Sequence, residues 1–141
     1  MDSQNKALKN LLVINSSSRN TGSKSRNLTE TIIDHWQKIQ LNAKIQHREL
    51  GNQSIPHITE KWISAAFKPL ENRTQEECDA LKTSDEYIKE LKEADIIVVA
   101  TPMYNWSIPS SLKAYIDQIV RESTKPGNII PIIFKIHISD S

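Results

Sequence analysis

The fold is decided by the stretch Leu11-Leu12-Val13-Ile14-Asn15-Ser16-Ser17-Ser18-Arg19-Asn20-Thr21-Gly22-Ser23-Lys24-Ser25. A short apolar run, typical of a buried strand, passes into a loop rich in hydroxyl groups, and an amphipathic helix pattern follows. A helix that begins after such a loop presents unpaired backbone N–H groups and the positive end of its macrodipole. The hydroxyl side chains add further donors. The loop is therefore either a phosphate-binding segment or an ordinary solvated turn.

A second unit of the same kind favours the phosphate interpretation. The apolar, β-branched run Asp95–Ala100 predicts a buried strand, the loop Thr101–Pro109 follows it, and another helix pattern begins at Ser110. Two strand–loop–helix units with polar loops predict an open, doubly wound α/β sheet. In such sheets ligands bind outside the carboxyl ends of the strands, where the winding reverses.

Length and composition exclude several classes of protein. The chain has 141 residues, enough for one domain. Its net charge of +1 argues against a nucleic-acid partner, and its apolar runs are too short for a membrane span. Its single cysteine and the absence of an apolar signal segment predict a cytoplasmic protein. The four histidines share no metal-ligand spacing, so we expect no metal site.

The remaining periodicities predict the elements around these loops. Apolar residues at helical spacing predict helices over Ser23–Gln40, Ile58–Phe67 and Ser110–Arg121 and, after the capping-box pattern Thr74–Glu77, a helix that breaks near Thr83–Asp85. The polar alternation of Ala43–Glu49 predicts a strand at or near the edge of the sheet. Part of the tail after Arg121 has the composition of a strand, although Pro131 cannot donate to a ladder.

The second loop carries a resemblance to a known family. It continues into its helix as Pro102-Met103-Tyr104-Asn105-Trp106-Ser107-Ile108-Pro109-Ser110-Ser111-Leu112-Lys113-Ala114-Tyr115-Ile116-Asp117. Together with the first loop, this segment resembles the FMN-dependent NADH azoreductases, quinone reductases with a flavodoxin-like fold. The resemblance covers about Leu11 to Arg121. It implies a parallel sheet with the strand order 2-1-3, which is the N-terminal half of the flavodoxin-like order 2-1-3-4-5.

The resemblance also implies a cofactor site and an activity. Around the FMN phosphate it places Ser17, Ser23, Lys24 and Ser25, and along the flavin ring it places Met103, Tyr104, Asn105 and Trp106. The implied reaction carries two electrons from NAD(P)H, with NADH as the co-substrate, through FMN to a quinone or azo compound. The implied assembly is a homodimer with the site at its interface. No catalytic side chain is required, because the flavin performs the hydride chemistry.

The sequence departs from the family after Arg121. We expect a flavodoxin-like FMN-binding region over residues 1–121 and an atypical tail over residues 122–141, as in a truncated or frame-shifted member or one with an alternative C-terminus. We also expect the apolar edge of the strand Ile96–Ala100 to be unpaired, with Ile132–Ile138 as the segment available to cover it. For this chain alone we expect weak FMN binding and little NADH-dependent quinone reduction. Two alternatives stay open: a non-catalytic remnant that acts as a nucleotide-binding or interaction module, and a simple FMN electron carrier.

Overall fold

The computed structural model describes residues 9–121 together with the backbone of residues 132–138. Its strands are β1 (Leu11–Asn15), β2 (Ile45–Glu49), β3 (Ile96–Pro102) and β4 (Ile132–Ile138). Its helices are α1 (Lys24–Ile39), α2 (Glu60–Ala66), α3 (Gln75–Glu93) and α4 (Ser110–Ile119), and a 3₁₀ turn covers Leu70–Asn72.

The four strands form one parallel sheet with the order β2-β1-β3-β4. The predicted order 2-1-3 is confirmed, and the polar strand β2 lies at an edge as expected. Because all strands are parallel, their carboxyl ends meet at one edge of the sheet, and both polar loops begin there. The fold therefore brings the two candidate loops together.

The expectation that β3 has an unpaired edge is wrong. The tail strand β4 pairs with β3 in parallel, with Ala100 opposite Ile136 and a register shift between Ile97 and Val98. Six residues of β3 then have a partner on this side. An apolar, β-branched tail segment can satisfy the N–H and C=O groups of a strand edge whatever its family origin, because ladder hydrogen bonds involve only the backbone.

Alternating residues of the central strands pack on opposite faces of the sheet. Leu12, Ile14 and Ile97 contact the residues of α3 and α4, including Tyr87 and Tyr115. On the other face Leu11, Val13 and Val98 pack against α1 through Ile32, Ile33 and Trp36. The period of two in the strands thus assigns each residue to one layer, as expected for a sheet covered on both sides.

Capping residues set the helix starts that the sequence predicts. Ser23 Oγ accepts a hydrogen bond from Arg26 N at the start of α1, and Thr74 and Glu77 form the predicted capping box of α3. The predicted break of α3 is wrong, since the helix is continuous through Ser84. Ser84 is buried, and its hydroxyl donates to the carbonyl of Gln118 in α4 at 2.5 Å, so the polar residue links two helices.

Candidate FMN site at the carboxyl ends of the strands

The hydroxyl loop, residues 16–25, begins at the end of β1 and is tied to the neighbouring strand. Ser16 donates to the carbonyl of Ala100 twice, through its backbone N–H at 3.0 Å and through its hydroxyl at 3.2 Å. Its tip, residues 18–22, is exposed, and Gly22 adopts a left-handed φ of 69°. The loop therefore has fixed ends and an exposed tip.

Three of the predicted phosphate residues come together at the start of α1. The Ser23 hydroxyl donates to the Ser17 hydroxyl at 3.1 Å and lies 2.9 Å from the Ser25 hydroxyl. All three residues are buried, at 1% exposure or less. Lys24 lies between the last two and is exposed. The hydroxyl groups form a cluster beside the first-turn N–H groups of the helix, where an anion is favoured.

The donor set of this cluster fits a phosphate group. Hydroxyl protons rotate freely, so the bonds that Ser17, Ser23 and Ser25 make with one another can be exchanged for bonds to phosphate oxygens. The three side chains are buried beneath the exposed tip of the loop, residues 18–22. Arg19, also in that tip, is exposed and available to an anion.

The second loop forms a tight turn. Tyr104 and Ser107 exchange both backbone hydrogen bonds at 2.9 Å, and between them Asn105 and Trp106 have positive φ angles of 49° and 64°. Two central residues with positive φ are the pattern of a type I′ turn. Asparagine tolerates this region, but a tryptophan there is strained. The turn holds the Trp106 side chain at the surface, where it is 92% exposed.

Tyr104 joins the two loops. Its hydroxyl accepts a hydrogen bond from the backbone N–H of Ser18 at 3.2 Å. Both Tyr104 and Met103 are half-buried, whereas Asn105 is exposed like Trp106. A groove of about 630 Å³ lies beside this turn. The residues that line it are Tyr104, Asn105, Ser107, Ile108, Ser110 and Lys113.

Arg26, Glu49 and Gly51 also shape the site, and the sequence reasoning missed them. Arg26 forms a bidentate ion pair with Glu49, and the hydrogen bonds that its guanidinium donates to the Glu49 carboxylate raise the pKa of Arg26. Gly51 lies so close to the hydroxyl loop that an added Cβ would be 1.8 Å from the Ser17 carbonyl oxygen. One signal was available: the positive end of the macrodipole disfavours a cation in the first turn of a helix, so an acidic partner for Arg26 is favoured.

Comparison with known proteins assigns the family. The flavodoxin-like fold family matches residues 9–125. The chain belongs to this family. Its match extends four residues beyond the boundary expected at Arg121 and leaves the tail strand outside.

Curated relatives share much of this sequence. The chain is 46% identical over 112 residues to an FMN-dependent NADH:quinone oxidoreductase of Nostoc punctiforme, and 40% identical over 117 residues to one of Burkholderia lata. These matches cover 79% and 83% of this chain and 55% and 56% of the relatives, so the chain spans about half their length.

Solved structures agree with this assignment. An azoreductase from Bacillus anthracis superposes with a TM-score of 0.73 at 26% identity, over 81% of this chain and 56% of the other. An FMN-dependent NADH-azoreductase from the same species, solved in complex with FMN, gives 0.69 at 26% identity, over 82% and 58%. The resemblance drawn from the two loops is thus confirmed.

Neither the comparisons nor the structure tests which individual residues contact the phosphate and which contact the flavin ring. That assignment stays a prediction. Within the described part of the chain, no three histidine, cysteine, aspartate or glutamate residues lie close enough to hold a metal ion. None of the helices described is long and apolar enough to cross a membrane.

Proposed function

We propose that this chain forms an FMN site of an NADH-dependent quinone or azo-compound reductase. The observation that carries the proposal is the cluster of three buried serine hydroxyls at the start of α1, joined through Tyr104 to the second loop. The similarity to FMN-dependent NADH:quinone oxidoreductases supports the choice of cofactor and reaction. We assign the site to residues 1–121 and regard residues 122–141 as a separate tail segment.

The two loops have different roles in this proposal. Ser17, Ser23 and Ser25 hold the phosphate by hydroxyl donors, with exposed Lys24 adding positive charge nearby. Residues 103–106 lie along the flavin ring, where Met103 and Trp106 provide apolar and aromatic surface. FMN, when bound, supplies the capacity to accept a hydride from NADH and to deliver two electrons to the acceptor. The chain's own residues bind and orient it.

The exposed Trp106 supports a further part of the proposal, a homodimer. A tryptophan that is 92% exposed in the isolated chain leaves a large apolar surface in water. A second copy that packs beside the turn would cover it and complete the substrate site. We place the protein in the cytoplasm, whose reducing conditions suit a chain with one free cysteine.

A titration with two flavins tests the phosphate assignment. Riboflavin has the same ring as FMN but lacks the phosphate. Ser25→Ala should weaken FMN binding about tenfold or more, because a hydrogen bond to a charged group contributes roughly 1.5–3 kcal/mol. Riboflavin binding should not change. Ser18→Ala is the matched control, since Ser18 lies in the same loop and is exposed. Equal FMN affinity in the Ser25 and Ser18 variants would contradict the assignment.

The reaction needs its own measurement. NADH oxidation by the purified chain should require both added FMN and a quinone or azo dye. Oxidation at the same rate without FMN would rule out the proposed cofactor. FMN binding without any NADH-dependent reduction of either acceptor would rule out the proposed reaction for this chain.

A further inference from the structure

Arg26 holds the hydroxyl loop from the side of helix α1. Its Nε donates to the carbonyl of Arg19 at 2.7 Å, and its Nη2 donates to the carbonyl of Ser17 at 2.6 Å. Nη1 and Nη2 also donate to the two carboxylate oxygens of Glu49, each at 2.6 Å. One planar guanidinium therefore uses four of its five N–H groups to connect the loop to the end of β2.

This arrangement makes Arg26 unsuited to bind the phosphate itself. Its charge is paired with Glu49, and most of its donors already have acceptors. The pairing also removes an electrostatic cost, because the positive end of the helix macrodipole repels an unpaired cation in the first turn. Since the charge of Arg26 is paired, the attraction for the anion comes from the positive end of α1, the serine hydroxyls and exposed Lys24.

The same contacts continue to the turn after β2. Glu49 Oε1 accepts a hydrogen bond from the N–H of Gly51 at 3.0 Å. Gly51 in turn packs against the backbone of Ser17, with no space for a side chain between them. The loop is thus held by its backbone at Ser17 and Arg19, although residues 18–22 remain exposed.

We propose that Arg26 and Glu49 are positioning residues that hold the hydroxyl loop in the shape that receives the FMN phosphate. The proposal rests on the FMN site proposed above. It differs from a simple stabilising ion pair in one respect. A stabilising ion pair needs only two opposite charges. The arrangement of Arg26 and Glu49, which we call the brace, also needs the planar guanidinium donors that reach the carbonyls of Ser17 and Arg19.

Three variants of the full chain separate these possibilities. Arg26→Lys keeps the charge but cannot reach two carbonyls and a carboxylate together. Glu49→Gln keeps an acceptor for Gly51 but removes the charge. The swapped pair Arg26→Glu with Glu49→Arg restores an ion pair but places an acceptor beside the two carbonyls. Lys61→Gln is the control, because it breaks an exposed ion pair with Glu76 on α2 and α3.

The readout is the ratio of FMN to riboflavin affinity, measured with circular dichroism as a check on folding. We expect Arg26→Lys and the swapped pair to lose about tenfold in FMN affinity, with riboflavin affinity within twofold of the original. Lys61→Gln should change neither. An unchanged flavin ratio in Arg26→Lys, or its restoration in the swapped pair, would overturn the proposal.

Two further outcomes are decisive. If Arg26→Lys does not fold, the test rests on Glu49→Gln. An unchanged ratio of FMN to riboflavin affinity in that variant overturns the proposed brace, and a loss of affinity for FMN alone supports it. If the original chain binds FMN no better than riboflavin, the phosphate site itself fails. Suppose that the original chain prefers FMN, that Ser25→Ala abolishes this preference and that Arg26→Lys does not. The proposed phosphate site would then stand, and only the proposed role of the brace would be refuted.

Discussion

The left-handed backbone of Trp106 leads to an unusual expectation: replacing this residue by glycine should stabilise the protein while weakening its flavin site. In the isolated chain the side chain is 92% exposed, so its removal costs little apolar burial when the melt is measured on the monomer. Its φ of 64° lies in a region that an L-residue with a Cβ adopts at a cost of about 1–2 kcal/mol. Glycine has no Cβ and adopts it freely.

The net effect follows from two opposing contributions. Glycine relieves the strain in the folded state, but its greater freedom in the unfolded chain lowers stability by roughly 0.5–1 kcal/mol. The difference leaves Trp106→Gly more stable by about 0.5–1 kcal/mol. For a domain of this size that corresponds to a rise in melting temperature of about 2–4 °C.

Trp106→Ala is the matched comparison. It removes the same ring but keeps the Cβ and therefore the strain, so its stability should stay within about 0.5 kcal/mol of the original. Thermal melts of the three proteins measure the difference, and flavin titrations should show equal losses of FMN affinity in both variants. If the glycine variant melts no higher than the alanine variant, the strain at Trp106 is not real and the argument fails.

Two other substitutions test the packing around the site. Gly51→Ala would place a Cβ 1.8 Å from the Ser17 carbonyl oxygen. We therefore expect the free energy of unfolding, measured in urea, to fall by several kcal/mol. An unfolding midpoint equal to that of the original protein would show that the two backbones are not in contact. Trp62→Phe removes the donor that bonds buried Gln118 Oε1 at 2.9 Å, so it should destabilise by about 1–3 kcal/mol, and an unchanged urea midpoint would mean that this bond contributes nothing.

Much of the fold could be predicted because it depends on local patterns. The strand Leu11–Asn15, the capping serine Ser23 and the capping box Thr74–Glu77 all depend on residues within a few positions of one another. The expected break near Ser84 failed for the opposite reason. A polar residue in a helix is a weak local signal, and its partner, the Gln118 carbonyl, is 34 positions away.

The sequence by itself determined most of the elements and the two loops that carry the candidate site, and its resemblance to a known family implied the strand order 2-1-3. Only the tertiary structure decided how that site is held. The Ser18 N–H meets the Tyr104 hydroxyl across 86 positions, Arg26 meets Glu49 across 23, and the tail strand β4 covers the edge of β3. These contacts depend on which strands become neighbours and in which register. Residue periodicity carries no such information, because it reports which face a side chain occupies and not what lies opposite it.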